Sequence, residues 1–201
     1  MDTDWAYLEK FRLENNPLIN SSDDNRIVFI GDSIIAGWKQ HTLFVENPNY
    51  INRGINGQTT SQIVHRFSQD VIDLKPKCVV VLVGTNDIAE NLGPVSLEEM
   101  QDNFRSMIEA AQSNNIQIIL CSILPVQEYY WNKKIKPSPK IKVLNTFLYS
   151  LANQKTIFYL DFYTLMAEDT LISSKFSDDG VHPNSIGYDF MTEILKNSNY
   201  F

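Results

Sequence analysis

Five short apolar runs, separated by segments with helical periodicity, constrain the fold of this chain more than any other feature. The runs lie at residues 27–30, 50–51, 78–83, 116–121 and 157–160. Three of them are rich in Val and Ile and scarcely alternate with polar residues, as expected of strands buried on both faces. Between and after the runs, apolar residues recur at three- and four-residue steps, at 63–74, 100–111, 141–151 and 186–194. This alternation predicts an α/β fold, with a parallel sheet covered by helices on both faces.

The length of the chain, 201 residues, fits one domain with a sizeable core. There is no internal repeat, low-complexity tract or linker, so residues 1–201 are predicted to form a single domain. Apolar residues between positions 5 and 11 recur at roughly helical spacing, ahead of an Asn-Asn-Pro sequence at 15–17. Residues 1–25 are therefore predicted to form an N-terminal helix and lead-in that pack on this domain.

The charge balance of the chain argues against two classes of partner. Its 17 Lys and Arg residues against 24 Asp and Glu residues give a net charge of −7. Nucleic acids and anionic membranes attract basic surfaces, so we expect neither to bind here. The residues at 133–136 come closest to a basic run, and the aromatic and proline residues around them indicate a solvated loop.

Cysteine and histidine usage indicates neither a disulfide framework nor a metal site. Cys78 and Cys121 each lie in or beside a predicted strand and are interpreted as small buried hydrophobic residues. The three histidines show no paired metal-ligand spacing, and we predict no metal and no other cofactor. His41 and His65 have no suitable partners nearby and are predicted to be surface or helix residues.

The N-terminus begins Met-Asp-Thr-Asp and lacks the basic and then apolar pattern of a secretion signal. No apolar stretch approaches the ~20 residues that are needed to span a bilayer. As written, the chain is therefore expected to be cytoplasmic, or secreted or periplasmic if a leader has been removed.

Polar residues suited to acyl transfer follow three of the predicted strands. Ser33 comes just after the first strand, Gly57 shortly after the second and Asn86 just after the third. In an open parallel sheet, ligands bind outside the carboxyl ends of the strands, so we expect these residues to meet at one edge. Asp179 and His182 lie just before the last predicted helix, whose N-terminus is able to present His182 to the same edge.

Each of these residue types has a part in acyl transfer. A serine hydroxyl becomes a nucleophile when a base removes its proton, and an imidazole does so at neutral pH. A carboxylate fixes the tautomer of the imidazole and stabilises its charged form. The oxyanion intermediate needs preorganised donors, which a glycine N–H and an Asn amide provide. We therefore predict Ser33, His182 and Asp179 as catalytic residues, with Asp178 as a competing carboxylate.

Other hydrolase and nucleotide signatures fail, and two other classes of function stay open. The nucleophile elbow of α/β-hydrolases needs glycine two residues to either side of the serine, but Ile35 occupies the second position. A phosphate-binding loop needs four residues between its glycines, and Gly31 and Gly37 are separated by five. A flavodoxin-like binding module would use the same edge of the sheet to hold a ligand. So would a catalytically silent relative that binds carbohydrate or acts as a scaffold.

Four segments resemble the signature blocks of the GDSL-type, or SGNH, serine hydrolases, and they occur in the order of that family. They are Gly31-Asp32-Ser33-Ile34, Gly54-Ile55-Asn56-Gly57-Gln58-Thr59, Gly84-Thr85-Asn86-Asp87 and Asp179-Gly180-Val181-His182-Pro183. The resemblance implies a flavodoxin-like three-layer α/β/α sandwich with a five-stranded parallel sheet, and esterase or lipase chemistry without a metal. It implies an oxyanion hole formed by the Ser33 and Gly57 backbone N–H groups and the Asn86 side-chain amide. Its register favours Asp179 over Asp178 as the partner of the histidine.

The stretch at 52–60 is most similar to bacterial acylhydrolases related to platelet-activating-factor acetylhydrolase. Members of that group act on short acyl esters, often acetyl groups on carbohydrates, which implies a small-molecule ester as the substrate. A lysophospholipase or thioesterase of the same family is the alternative, and it needs an apolar groove for a long chain. The oligomeric state is not predicted.

A long segment after the fourth strand is the candidate substrate-lining region. Residues 125–139 contain Tyr129, Tyr130, Trp131 and three prolines, and long loops in compact domains tend to be functional. We predict that these three aromatic residues line the substrate, and covering of the edge of the core is the alternative. Asp32 is interpreted either as a hydrogen-bonding residue of its turn or as a further lining residue.

Overall fold

The computed structural model describes residues 4–21, 23, 25–152 and 157–200, so residues 1–3, 22 and 24 of the predicted N-terminal segment lie outside it. The main strands are β1 (Ile27–Gly31), β2 (Tyr50–Gly54), β3 (Cys78–Leu82), β4 (Gln117–Cys121) and β5 (Ile157–Leu160). They form one parallel sheet in the order β2-β1-β3-β4-β5, which confirms all five apolar runs as strands. The shortest run, 50–51, extends to Gly54 because the whole of β2 pairs with β1. A small antiparallel pair, β6 (Ala167–Glu168) and β7 (Leu171–Ile172), is an addition that the sequence does not predict.

Helices fill the connections between the strands. They are α1 (Arg12–Ile19), α2 (Ser33–Trp38), α3 (Thr42–Val45), α4 (Thr60–Asp70), α5 (Thr85–Ile88), α6 (Leu97–Ser113), α7 (Pro137–Leu151), α8 (Phe162–Met166) and α9 (Ser185–Asn197). Thr59 and Gln62 form a capping box at the start of α4, and the Ser96 side chain caps α6. The predicted helix at 63–74 ends early, because its last turn is a separate 3₁₀ turn, Ile72–Leu74. Among the described residues, no helix is both long and apolar enough to cross a membrane.

The N-terminal helix lies further along the chain than predicted. A single 3₁₀ turn occupies Leu8–Lys10, and α1 contains the Asn-Asn-Pro sequence at 15–17 instead of ending before it. The reason is tertiary. The buried Asn15 side chain donates to Asp70 Oδ1 at 2.8 Å and accepts from Arg53 Nη2 at 2.7 Å. These buried hydrogen bonds hold the helix against its neighbours and outweigh the helix-breaking preference of proline.

Helices cover both faces of the sheet, because successive strand residues point to opposite sides. Val79 and Val81 of β3 share a core with α4, α6 and α7, whereas Cys78 and Val80 share one with α2, α3, α8 and α9. The result is the predicted three-layer α/β/α sandwich, with the flavodoxin-like strand order 2-1-3-4-5. Cys78 and Cys121 are both buried and free of disulfides, which confirms their interpretation as small core residues.

The strand order places the carboxyl ends of β1, β2 and β3 beside one another. Gly31 at the end of β1 pairs in register with Gly54 of β2 and with Leu82 of β3. An added Cβ at Gly54 would lie 2.1 Å from the backbone nitrogen of Ala36, so only glycine lets α2 approach β2 this closely. Ligands bind at this point of doubly wound sheets, where the strand order reverses. The segments that follow these three strands are those that carry the predicted chemistry.

Candidate active site

Ser33 is the first residue of α2 and directly follows the turn out of β1. Asp32 caps this helix, because its Oδ1 accepts a hydrogen bond from the Ile34 N–H at 2.9 Å. The Asp32 side chain is buried, with the residue only 1% exposed, whereas Ser33 is half-buried. The short helix therefore presents the serine hydroxyl at the edge of the sheet.

His182 lies next to Ser33 and is held by a carboxylate from its own turn. Its Nε2 is 2.9 Å from Ser33 Oγ, and its Nδ1 is 2.7 Å from Asp179 Oδ2. The other oxygen of Asp179 accepts from the backbone N–H groups of Val181 and His182, at 2.9 and 2.7 Å. Asp178 instead accepts from the Asn184 side chain at 3.0 Å. The structure thus connects Ser33, His182 and Asp179 by successive hydrogen-bond contacts, and Asp178 is not part of this chain.

The hydrogen bonds around Asp179 keep its carboxylate ionised. Burial alone would raise the pKa of Asp179, but hydrogen bonds from His182 and from the Val181 N–H outweigh it and lower the pKa to about 2. An ionised Asp179 accepts the Nδ1–H of His182, which leaves the Nε2 lone pair directed at Ser33 Oγ. This geometry lets the imidazole take the serine proton during attack.

Two backbone N–H groups at the carboxyl edge of the sheet have no acceptor among the residues that the structure describes. Within the described residues, neither the Ser33 N–H nor the Gly57 N–H donates a hydrogen bond. Gly57 is exposed and has φ of +77°, in the left-handed region that favours glycine. Its turn follows β2, the strand beside β1, so both donors belong to the same edge of the sheet.

Asn86 is buried in α5, at the end of β3, and both ends of its side-chain amide are fixed. Its Nδ2 donates to the Gln58 carbonyl oxygen at 3.1 Å, and its Oδ1 accepts from Asn91 Nδ2 at 2.7 Å. An amide nitrogen carries two hydrogens, and Gln58 takes one of them. The second hydrogen is left for a ligand.

Gln58 is a site residue that the sequence-based interpretation missed. Its carbonyl holds Asn86, and its side chain is clamped by Arg66 Nε at 2.6 Å and by the Ala6 carbonyl at 2.8 Å. The Arg66 guanidinium also donates to the Gly31 carbonyl at the end of β1, at 3.2 Å. This buried network joins the ends of three strands. In the sequence, the signal that could have identified Gln58 is its position directly after Gly57.

Two buried carboxyl groups flank the site, and burial raises the pKa of each. The pKa of Asp32 is raised to about 7, although the Ile34 N–H bond and nearby His182 oppose the shift. The pKa of Asp87 is raised to about 6, against hydrogen bonds from the Thr60 hydroxyl and N–H. Asp87 accepts both Thr60 groups, the hydroxyl at 2.6 Å, and so ties the Asn86 turn to the start of α4.

The predicted lining residues separate into buried and exposed pairs. Tyr129 is 0% exposed, and its hydroxyl lies 2.8 Å from Thr85 Oγ1. Tyr129 therefore covers the edge of the core, as in the alternative interpretation, and its assignment as substrate-lining is wrong. The same correction applies to Asp32, whose buried carboxyl serves its own turn. Tyr130 and Trp131 are 61% and 39% exposed and remain available to a ligand.

Histidine and cysteine elsewhere in the structure show no metal site and one unpredicted pair. In the part of the chain that the structure describes, no group of three or more His, Cys, Asp or Glu side chains is placed to hold a metal ion. His65 lies in α4, in agreement with the prediction of a surface or helix residue. The interpretation of His41 as lacking a partner is wrong, because its Nε2 lies 2.7 Å from Asp189 Oδ1. That contact depends on α9, far along the chain.

A serine, a histidine and an ionised carboxylate are thus joined by hydrogen bonds at the carboxyl edge of an α/β sheet. This arrangement defines a serine hydrolase. Comparison with known proteins specifies the family. Residues 29–190 match the GDSL-like lipase/acylhydrolase family, and the chain belongs to that family. The protein is therefore a serine ester hydrolase.

Three related proteins illustrate this membership. A Bacteroides fragilis protein crystallised as a candidate acylhydrolase is 39% identical, covers 98% of this chain and 97% of its own, and has a TM-score of 0.91. The isoamyl acetate-hydrolyzing esterase 1 homolog of Rattus norvegicus is 28% identical over 195 residues, 83% of this chain and 78% of that protein. Human platelet-activating factor acetylhydrolase IB subunit alpha2 is 30% identical over 119 residues, 56% of this chain and 47% of that protein. The chain spans between 35% and 78% of the length of the curated relatives it matches.

Proposed function

We propose that this esterase hydrolyses short acyl esters, acetyl esters foremost, with Ser33 as the nucleophile. The observation that carries the proposal is the unbroken line from Ser33 Oγ through His182 to Asp179. His182 Nε2 accepts the hydroxyl proton while Oγ bonds to the ester carbonyl carbon. The ester C–O bond then breaks, and the leaving alkoxide takes the proton from His182. Water attacks the acyl-serine with His182 as base again, releasing the acid and the free serine.

Three hydrogen-bond donors are proposed to stabilise the negative charge that develops on the carbonyl oxygen. They are the N–H groups of Ser33 and Gly57 and the Asn86 amide hydrogen that Gln58 does not use. Because hydrogen bonds already hold both ends of the Asn86 amide, this amide does not have to turn when the oxyanion forms. Donors that are fixed in advance in this way are the main source of transition-state stabilisation in acyl transfer.

The substrate class is proposed from the relatives and from the exposed aromatic pair. The names of the rat and human relatives both denote hydrolysis of acetyl esters. Tyr130 and Trp131 expose their rings in an edge-to-face pair with centroids 4.6 Å apart. Flat aromatic faces suit a sugar ring, so we propose an acetylated carbohydrate as the substrate. A lysophospholipid or thioester is the alternative.

The experiment is a panel of p-nitrophenyl esters from acetate to dodecanoate, run alongside acetylated xylo-oligosaccharides, with Ser33→Ala as the control. We expect kcat/KM to be highest for acetate and to fall with chain length, and acetate to be released from the oligosaccharides. Highest activity on dodecanoate would favour the lysophospholipase or thioesterase alternative. Equal turnover by wild type and Ser33→Ala would remove Ser33 from the mechanism.

A further inference from the structure

A chain of two hydrogen bonds runs from the aromatic segment, defined as residues 130–132, to the Asn86 amide. The Trp131 indole Nε1 donates to Asn91 Oδ1 at 2.8 Å. Asn91 Nδ2 in turn donates to Asn86 Oδ1 at 2.7 Å. One asparagine thus accepts from the aromatic segment with its oxygen and donates to the proposed oxyanion residue with its nitrogen.

The orientation of the Asn86 amide depends on this second bond. If the amide turned over, Oδ1 would face the Gln58 carbonyl, and two acceptors would then face one another. The Asn91 donor opposes the same turn from the other side, because Nδ2 of Asn86 would meet Nδ2 of Asn91. Asn91 therefore helps to keep a hydrogen, and not a lone pair, directed at the carbonyl oxygen of the ester.

The backbone around Asn91 is shaped for this contact. Glu90 adopts φ of +61°, in the left-handed region, and turns the chain back so that the Asn91 N–H donates to the Asn86 carbonyl at 3.0 Å. Asn132 fastens the aromatic segment to the same turn, because its side chain donates to the Ala89 carbonyl at 3.0 Å. Two hydrogen bonds, Trp131 to Asn91 and Asn132 to Ala89, therefore hold the aromatic segment against the turn that contains Asn91. Of these residues, Asn91 is the one that also contacts Asn86.

We propose that Asn91 is a positioning residue for Asn86, and that through Trp131 it couples the aromatic segment to oxyanion stabilisation. The proposal rests on the proposed function, in which Asn86 is an oxyanion donor. Asn91 itself does not touch the substrate. Its effect is expected in kcat, because a misoriented Asn86 weakens binding of the oxyanion and not of the neutral ester.

Isosteric substitutions separate the two bonds of Asn91. Asn91→Asp keeps an acceptor for Trp131 but cannot donate to Asn86 Oδ1 when ionised, so it favours the turned-over amide. Trp131→Phe keeps an aromatic ring but removes the donor to Asn91. Leu92→Ala is the control for disturbance of the turn, because Leu92 is the next residue, is largely exposed and forms no polar side-chain contact.

The test measures kcat and KM for p-nitrophenyl acetate in these variants and in Asn86→Ala, alone and combined with Asn91→Asp. Asn86→Ala is expected to lose ~10²–10³ in kcat, as for other single oxyanion donors. Asn91→Asp is expected to lose about tenfold or more in kcat with KM little changed, and Trp131→Phe less. In the Asn86→Ala background, Asn91→Asp should add less than about twofold, because its effect acts through Asn86.

Four results would overturn the proposal, and they point to three different causes. Wild-type kcat in Asn91→Asp, with Asn86→Ala impaired, would remove Asn91 and leave the proposed function intact. A full-sized Asn91→Asp loss in the Asn86→Ala background, or an equal loss in Leu92→Ala, would show a general disturbance of the turn. Wild-type kcat in Asn86→Ala would instead contradict the oxyanion assignment itself, and the role of Asn91 with it.

Discussion

Two regions of this molecule contain a hydroxyl, a histidine and an aspartate in contact, and they differ in which nitrogen of the histidine meets the carboxylate. In one, Asp179 holds Nδ1 of His182 at 2.7 Å, and Nε2 faces Ser33. In the other, Asp189 contacts Nε2 of His41 at 2.7 Å. The distance between histidine and carboxylate is the same, but the hydroxyl belongs to a serine in the first region and to a threonine in the second.

In the second region, a backbone hydrogen bond already occupies the histidine nitrogen that lies beside the hydroxyls of Thr42 and Thr192. Nδ1 of His41 accepts the Leu43 N–H at 3.1 Å and so caps α3. Thr192 Oγ1 lies 3.3 Å from that nitrogen, but it donates to the Tyr188 carbonyl at 2.8 Å and accepts from Trp38 Nε1 at 3.0 Å. Its hydroxyl hydrogen is already used. Nδ1 of His41 therefore serves as a helix cap, whereas Nε2 of His182 faces the hydroxyl of Ser33.

The largest effect is expected from removing the histidine of the proposed catalytic line. His182→Ala removes the base, so kcat on p-nitrophenyl acetate should fall by about 10⁴–10⁶. The matched variant His41→Ala removes a histidine of the same kind and should retain activity within about twofold. A comparable loss in both variants would abolish the distinction between the regions.

Removing the charge of the two carboxylates is expected to have the next largest effect, with a large loss of kcat at Asp179 and little loss at Asp189. Asp179→Asn leaves the imidazole without its charged partner and favours the wrong tautomer, so kcat should fall by about 10³–10⁴. Asp189→Asn is the control, since that carboxylate is largely exposed and faces a capping histidine. Circular dichroism on each variant confirms that the fold is intact. Normal kcat in Asp179→Asn would contradict the assigned role of Asp179.

Asp32 gives the region around Ser33 a pH-dependent contribution to stability. Burial raises its pKa from 3.8 to about 7, so the folded state binds this proton more tightly than the unfolded chain does. Its contribution is favourable at acid pH and is lost as the pH rises from about 4 to 7. Asp32→Asn keeps an oxygen acceptor for the Ile34 N–H and carries no charge. Urea denaturation measures the free energy of unfolding of both proteins at pH 4.5 and pH 8. The value for Asp32→Asn minus the value for wild type should be higher at pH 8 than at pH 4.5 by about 1–3 kcal/mol. A pH-independent difference would contradict the raised pKa.

The smallest effect is structural and belongs to the second region. His41→Ala removes the cap of α3 and the contact with Asp189, so it should lower the free energy of unfolding by about 0.5–2 kcal/mol. His41→Asn, which is able to accept the Leu43 N–H as an N-cap, should recover most of that loss. Urea denaturation of both variants measures it, and equal instability of the two would argue against the capping role.

The strands of the sheet and the placement of the site could be predicted because their signals in the sequence are local. Four of the five main strands contain a continuous apolar sequence of at least four residues, and Ser33 and Asn86 follow shortly after the ends of two of them. Parallel strands end at one edge, so these positions converge without knowledge of any side-chain contact. The turn from Asp179 to His182 is also local. The catalytic roles of these residues stay predictions.

The remaining features depend on contacts between distant segments, which no local pattern indicates. The burial of Tyr129 depends on Thr85, and the partner of His41 comes from α9, 148 residues along the chain. The N-terminal helix runs through Pro17 because the buried Asn15 is fixed by Arg53 and other tertiary partners. In each case the local sequence is compatible with more than one structure, and tertiary packing selects one of them.

The most direct test of the difference between the two regions is the rate of covalent labelling by an organophosphonate, followed by intact-protein and peptide mass spectrometry. We predict a single adduct on Ser33 in wild type and in His41→Ala, formed at similar rates. No adduct should form in Ser33→Ala, and labelling of His182→Ala should be slower by about 10³ or more. An adduct on another residue, or equal labelling rates in wild type and His182→Ala, would contradict Ser33 as a nucleophile activated by His182.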